Sequence, residues 1–128
     1  MKFTISREAL LKPLQLVAGV VERRQTLPVL SNVLIATDEG RLRLSATNLE
    51  LGITCWIGAK VHEEGSTTVP ARTITELIST LADKQVDMTL SVRTQTLNVV
   101  CGASNTDLKC IDAQEFPPMP VPDPDHGL

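Results

Sequence analysis

Along residues 10 to 21, Leu10, Leu11, Leu14, Val17, Ala18 and Val21 recur at spacings of three and four, which gathers them on one side of a helical projection. The pattern predicts an amphipathic helix, capped by Ser6 and preceded by a short strand over Lys2 to Ile5. Glu8, Lys12, Gln15 and Glu22 fall on the opposite side. Pro13 interrupts the run; it lacks an amide hydrogen and its ring crowds the preceding turn, so a kink or a division is expected there. The period then changes to two. Residues 33 to 36 form a buried strand and residues 37 to 40 a turn, after which Leu42, Leu44 and Ala46 alternate with Arg41, Arg43 and Ser45. A third strand places Leu49, Leu51, Ile53, Cys55 and Ile57 on one face and turns Trp56 the other way, against a neighbouring element.

The same succession then returns. Thr67 to Val69 read as a strand, Pro70 stands at a helix start, and Ile74, Leu77, Ile78 and Leu81 make an apolar stripe over Ala71 to Leu81. Arg72, Thr75, Glu76, Ser79 and Asp83 face away from that stripe. Three strands follow, over Val86 to Val92, Thr96 to Cys101 and Thr106 to Ile111. A chain that reads twice as strand, helix and three strands predicts an α+β domain built from a duplicated β-α-β-β-β unit, its two helices side by side on antiparallel sheet. The helices then share one solvent-facing layer, with Lys12, Gln15 and Arg72 as neighbours and Arg23 and Arg24 at its margin. From residue 116 five of the eight prolines crowd together, so residues 1–115 are expected to be the domain and 116–128 a proline-rich linker or tail.

Composition narrows the function. The 128 residues, 42% of them hydrophobic, suffice for one domain with a core. No apolar run reaches the roughly 18 residues of a membrane span, and the first residues lack the pattern of a signal peptide, so a cytoplasmic location is expected. Cys55, Cys101 and Cys110 form an odd set without close spacing and read as reduced core residues. His62, placed in a charged loop, and His126, in the tail, have no partners at metal-ligand spacing; neither a metal site nor a cofactor motif is found. The pair Glu63 and Glu64 beside Gly65 reads as a solvated turn rather than an acid/base couple, and no catalytic residue is assigned.

The net charge of −3 conceals an asymmetry: Lys2, Arg7, Lys12, Arg23 and Arg24 against Glu8 and Glu22 leave the first 24 residues at +3 and the remainder at −6. One basic face would orient the domain on a polyanion, although ordinary scatter of a few charges accounts for the same numbers. Phe3, Trp56 and Phe116 are the only aromatic residues, too few for a platform on which single-stranded bases stack. Neither helix is basic enough to read bases in a groove. What remains is sparse contact between flexible cations and phosphates, which positions a protein without specifying sequence and weakens steeply with salt.

Five ordered blocks carry a resemblance to a known family: Met-Lys-Phe-Thr at the start, Leu-Leu-Lys-Pro-Leu at 10 to 14, Thr-Leu-Pro-Val-Leu-Ser-Asn at 26 to 32, Thr-Thr-Val-Pro-Ala-Arg at 67 to 72, and Glu-Phe-Pro at 115 to 117. Over residues 1 to 120 the chain resembles the first domain of the bacterial sliding clamps, the beta subunits of DNA polymerase III. The resemblance implies a non-catalytic processivity factor, a head-to-tail homodimeric ring of three similar domains per chain that encircles duplex DNA, slides on it and tethers the polymerase. Its implied partners are duplex DNA, the polymerase III subunits and the clamp loader. Arg24 and Arg72 match family positions that contact DNA, Lys12 and Gln15 lie on the inner helix, and Arg23 is an additional cation. Residues 102–108 match the edge strand that meets the partner subunit, which assigns Ser104, Asn105, Thr106 and Leu108 to that contact; relatives carry basic and aromatic residues there that Ala103, Asn105 and Thr106 do not supply. The chain stops where a second domain is expected and is read as a piece of such a protein. Two other readings fit the residues: a stand-alone scaffold that binds proteins through its sheet edge and proline tail, and a small cysteine-dependent enzyme.

Overall fold

The computed structural model describes residues 1–21, 28–47, 52–81 and 85–117. Two antiparallel sheets and two helices enclose one apolar core. In chain order the elements are β1 (Lys2–Ser6), α1 (Arg7–Ala18), β2 (Asn32–Asp38), β3 (Arg41–Thr47), β4 (Gly52–Gly58), β5 (Lys60–Glu63), β6 (Ser66–Pro70), α2 (Ala71–Thr80), β7 (Gln85–Ser91), β8 (Thr96–Cys101) and β9 (Ser104–Lys109), with 3-10 turns at Pro28–Ser31 and Ala113–Glu115. The predicted duplication is present, but its first strands are exchanged. β1 pairs with β7 in the five-stranded sheet β5-β1-β7-β8-β9, and β6 pairs with β2 in the four-stranded sheet β4-β3-β2-β6.

The two halves correspond residue by residue. Ile5 lies opposite Val86, and its counterpart Val69 lies opposite Val33. Leu10, Leu14 and Val17 correspond to Ile74, Ile78 and Leu81, and all six are buried. Leu42 and Leu44 of β3 correspond to Leu97 and Val99 of β8, which are likewise buried. The inward alternation of each strand thus meets the helical stripe of both units in a single core.

One strand is invisible to sequence periodicity. Lys60–Glu63, including His62, is not a charged loop but β5, paired with β1. His62 is exposed there, its Nε2 3.1 Å from Oγ1 of Thr4. The pairing of Thr4 with Lys60 has its counterpart in a single bridge between Thr68 and Ile111, which ties the end of the second half to β6. At that seam the Thr68 amide donates to the Ile111 carbonyl and the Ile111 amide to the Thr68 carbonyl, each at 3.1 Å. Thr68 Oγ1 also donates to the Ile111 carbonyl at 2.6 Å, while Nδ2 of the buried Asn32 donates to Thr68 Oγ1 at 3.1 Å.

Local details follow from residue chemistry. The turn from β2 to β3 carries positive φ at Glu39 (49°) and Gly40 (80°), the pair of left-handed residues that suits the twist of a tight hairpin. Pro13 neither divides nor ends α1, which runs on to Ala18. The amide it lacks would have bonded the carbonyl of Ala9, an exposed residue, so the missing hydrogen bond leaves no carbonyl stranded in the core. Trp56 does turn from the core face, but its neighbour is its own sheet: it is 49% exposed, and its indole Nε1 donates to Oδ2 of Asp38 on β2 at 3.0 Å. Phe116, counted with the tail, is buried. Leu49, Leu51 and Asp83 lie outside the described residues.

Gly65 closes the connection from β5 to β6 against the start of the chain. Its amide donates to Oγ1 of Thr37 at 2.9 Å and its carbonyl accepts from the Thr37 amide at 2.9 Å. A Cβ built on it would stand 2.8 Å from Cβ of Met1 and 3.1 Å from the Met1 nitrogen. Gly65→Ala is therefore expected to cost about 1–3 kcal/mol through overpacking, read as a lowered midpoint in urea or thermal unfolding.

Candidate nucleic-acid interface

The helices run antiparallel, and a guanidinium crosses one end of the pair. Arg7, in the first turn of α1, donates from Nε to the Ile78 carbonyl at 3.0 Å and from Nη2 to the Ser79 carbonyl at 2.9 Å. These carbonyls belong to the last turn of α2, and that of Ile78 also accepts from the Leu81 amide at 3.3 Å. A cation in the first turn opposes the dipole of its own helix, but here it is satisfied by the negative end of the other. At the opposite end of the pair the residue corresponding to Arg7 is Ala71, whose methyl group is too short to span the gap. A groove of about 610 Å³ opens there, bordered by Gln15 and Ala18 of α1, by Ala71, Arg72 and Glu76 of α2, and by Ser31.

The predicted residues can be placed on this frame. Gln15 and Arg72 border the same groove. Lys12 is exposed one turn before Gln15 on α1. Arg23 and Arg24 lie outside the described residues. Gln15 and Arg72 thus share one groove, and Lys12 is exposed on the same helix as Gln15. The two helices also hold two acids that periodicity turns outward without assigning them to the site. Glu8 precedes Lys12 by four residues and Glu76 follows Arg72 by four, and all four are exposed. Nε of Arg72 stands 3.9 Å from Oε1 of Glu76, with side chains 78% and 73% exposed. The role of Arg7 is also new; its signal in the sequence is a basic residue at the wrong end of its own helix dipole.

The residues assigned to a subunit contact all fall on β9, an edge of the five-stranded sheet. Ser104 and Asn105 are exposed, Thr106 is half-buried, and the Leu108 side chain is buried in this domain's own core. Leu108 thus offers a neighbour its backbone rather than its side chain. Asn98 Nδ2 donates to Oδ1 of Asn105 at 2.6 Å and to Oδ1 of Asp107 at 2.8 Å, which steadies the outer face of this edge.

Among the described residues no group of three or more His, Cys, Asp or Glu is arranged to hold a metal ion, and no helix is long and apolar enough to cross a membrane. No disulfide joins the three cysteines, of which Cys101 is buried and the other two half-buried. Burial raises the pKa of Cys110 above the ordinary thiol range, opposite to the depression that makes a nucleophile.

Geometry of this kind, a duplicated α+β domain with paired helices on one layer and antiparallel sheet behind them, defines the class of DNA-clamp domains. The chain matches the family model described as the DNA polymerase III beta subunit, N-terminal domain, over residues 1–120, and belongs to that family. It is 48% identical over 121 residues to the beta sliding clamp of Pseudomonas aeruginosa, covering 91% of this chain and 32% of that protein. To the beta sliding clamp of Escherichia coli K12 it is 37% identical over 118 residues, covering 91% and 32%. A crystal structure of the sliding clamp from Caulobacter crescentus superposes with a TM-score of 0.89 at 39% identity, over 94% of this chain and 33% of that one. The Pseudomonas aeruginosa clamp bound to griselimycin gives 0.88 at 44% identity, over 96% and 33%. The chain thus spans about a third of the length of the relatives it matches.

Two outcomes are expected. Arg7→Gln should lower stability by about 1–3 kcal/mol in urea unfolding, because the charge-assisted hydrogen bonds to the Ile78 and Ser79 carbonyls are lost and Ile78 keeps only the Leu81 amide at 3.3 Å. Alkylation of Cys110 should lag behind free cysteine at mildly alkaline pH, with its half-maximal rate displaced to higher pH; a displacement to lower pH would revive the reading as a thiol enzyme.

Proposed function

We propose that this chain is the first domain of a ring-shaped, non-catalytic processivity factor, a head-to-tail homodimer that encircles duplex DNA and tethers the replicative polymerase to it. The observation that carries this reading is the shared helical layer on which Gln15 and Arg72 border one groove, with Lys12 one turn away. Its charges are few, flexible and exposed, which suits transient contact with successive phosphates and no base reading. Enclosure, rather than affinity, then keeps the protein on DNA. Arg24 and Arg23 add to the same lining.

The edges support the assembly. β4 closes one side of the four-stranded sheet and β9 one side of the five-stranded sheet, and these strands are counterparts in the two halves. A domain with two equivalent open edges can join a neighbour on each side, the requirement for a ring of similar domains. On β9 the contact runs through Ser104, Asn105, Thr106 and the backbone of Leu108. The polymerase III subunits and the clamp loader engage the complete protein, and the cytoplasm is its compartment. Residues 116–128 lead from this domain towards the next.

In the complete protein, replacing Arg24 and Arg72 with Glu should reduce loading and retention on circular duplex DNA. It should also make the salt dependence shallower, by about 0.9 log units of affinity per log unit of salt for each phosphate that is no longer neutralised. Unchanged retention at physiological salt would discard the assignment.

A further inference from the structure

We infer that Glu76 is a built-in counterion for Arg72, a positioning residue that keeps the arginine's grip on phosphate weak enough for sliding; this rests on the DNA-facing reading of the helical layer. Glu76 lies one turn after Arg72 on α2, Oε1 is 3.9 Å from the arginine's Nε, and both side chains are largely exposed. An exposed pair four residues apart on a helix is worth little more than thermal energy, so it neither locks the arginine nor leaves it free. A phosphate that approaches Arg72 exchanges with a carboxylate already present instead of neutralising a bare cation. Each such contact is an exchange of near-equal partners, made and broken at little cost in either direction.

The other half of the repeat carries one acid and one base at the same two positions, in reversed order, although the ion pair observed among the described residues is that of Arg72 with Glu76. When the halves are aligned, Glu8 corresponds to Arg72 and Lys12 to Glu76, and all four residues are exposed on the two helices. Each of these pairs joins one acid and one base, and the four charges cancel. Among the described residues the layer is therefore not the cationic face that the charge of the first 24 residues suggested but an alternating one. Glu76 borders the same groove as Arg72 and Gln15, so a phosphate that reaches Arg72 through this groove meets the glutamate as well.

The test is a titration of the 128-residue chain with a short DNA duplex at low salt, followed through amide chemical shifts of α1 and α2. The variants are Glu76→Gln, Arg72→Gln and the double replacement, with matching thermal midpoints as the check on folding. Glu76→Gln is expected to tighten binding about two- to fivefold and to steepen the salt dependence by up to about 0.9 log units per log unit of salt, the contribution of one more fully neutralised phosphate. In the Arg72→Gln background that gain should vanish, because the glutamate acts through the arginine. If Glu76→Gln leaves affinity and salt dependence unchanged while Arg72→Gln weakens binding, the counterion role is overturned and the DNA-facing reading stands. A gain undiminished without Arg72 also overturns it, since Glu76 would then repel phosphate directly. Absence of any shift change on α1 and α2 in all variants would overturn the counterion role, whose premise is contact between this layer and phosphate.

Discussion

The exchange of first strands is the constraint on which the rest of the molecule depends. β1 belongs by sequence to the first half but hydrogen-bonds along β7, and β6 belongs to the second half but hydrogen-bonds along β2. Neither half completes its sheet alone, because each sheet draws strands from both halves, and the two helices pack against each other over them. The core is consequently one body: Leu10, Leu14 and Ile74 are buried in the same cluster as Leu42, Met88 and Leu97. Because the exchange is reciprocal, it brings α1 and α2 together as antiparallel neighbours. The groove shared by Gln15 and Arg72 lies between the helices this brings together.

Much of that arrangement is legible in the residues alone. Helical periodicity is a property of a segment itself, so Leu10, Leu14, Ile74 and Ile78 announce both helices and, by complement, the exposure of Lys12, Gln15 and Arg72. Alternation does the same for β3 and β8. The partner of each strand is not legible, because a period of two records which face is buried and nothing about which edge is paired. β5 is hidden for a related reason: Lys-Val-His-Glu contains one apolar residue, and its strand conformation comes from pairing with β1 rather than from propensity. Glu8 and Glu76 are outward-facing by period, yet their relation to Lys12 and Arg72 emerges only when the halves are laid over each other. Arg23 and Arg24, two of the cations on which the charge asymmetry rests, fall outside the described residues.

The two ends of the helix pair divide labour between structure and surface. At one end Arg7 spends its guanidinium on the carbonyls of α2, so a cation counted towards a basic face contributes instead to holding the helices together. At the other end Ala71 takes the corresponding place, and the space left open is the groove beside Gln15 and Arg72. Formal charge is thus a poor measure of what a polyanion would meet. What matters is which cations retain unused donors and which acids stand beside them.

The seam at Thr68 has a consequence for how uniquely the chain folds. Asn32, Thr68 and the Ile111 carbonyl form a short relay of polar groups in a largely apolar interior, each partnered in the observed alignment. Sliding β6 by one residue so that Val69 takes the place of Thr68 would set an aliphatic side chain where the Asn32 amide now finds a hydroxyl and leave that amide dry and unanswered, a penalty that a purely aliphatic seam would not impose. The relay therefore acts less as glue than as an alignment key, excluding near-miss assemblies of two halves similar enough to be mistaken for each other.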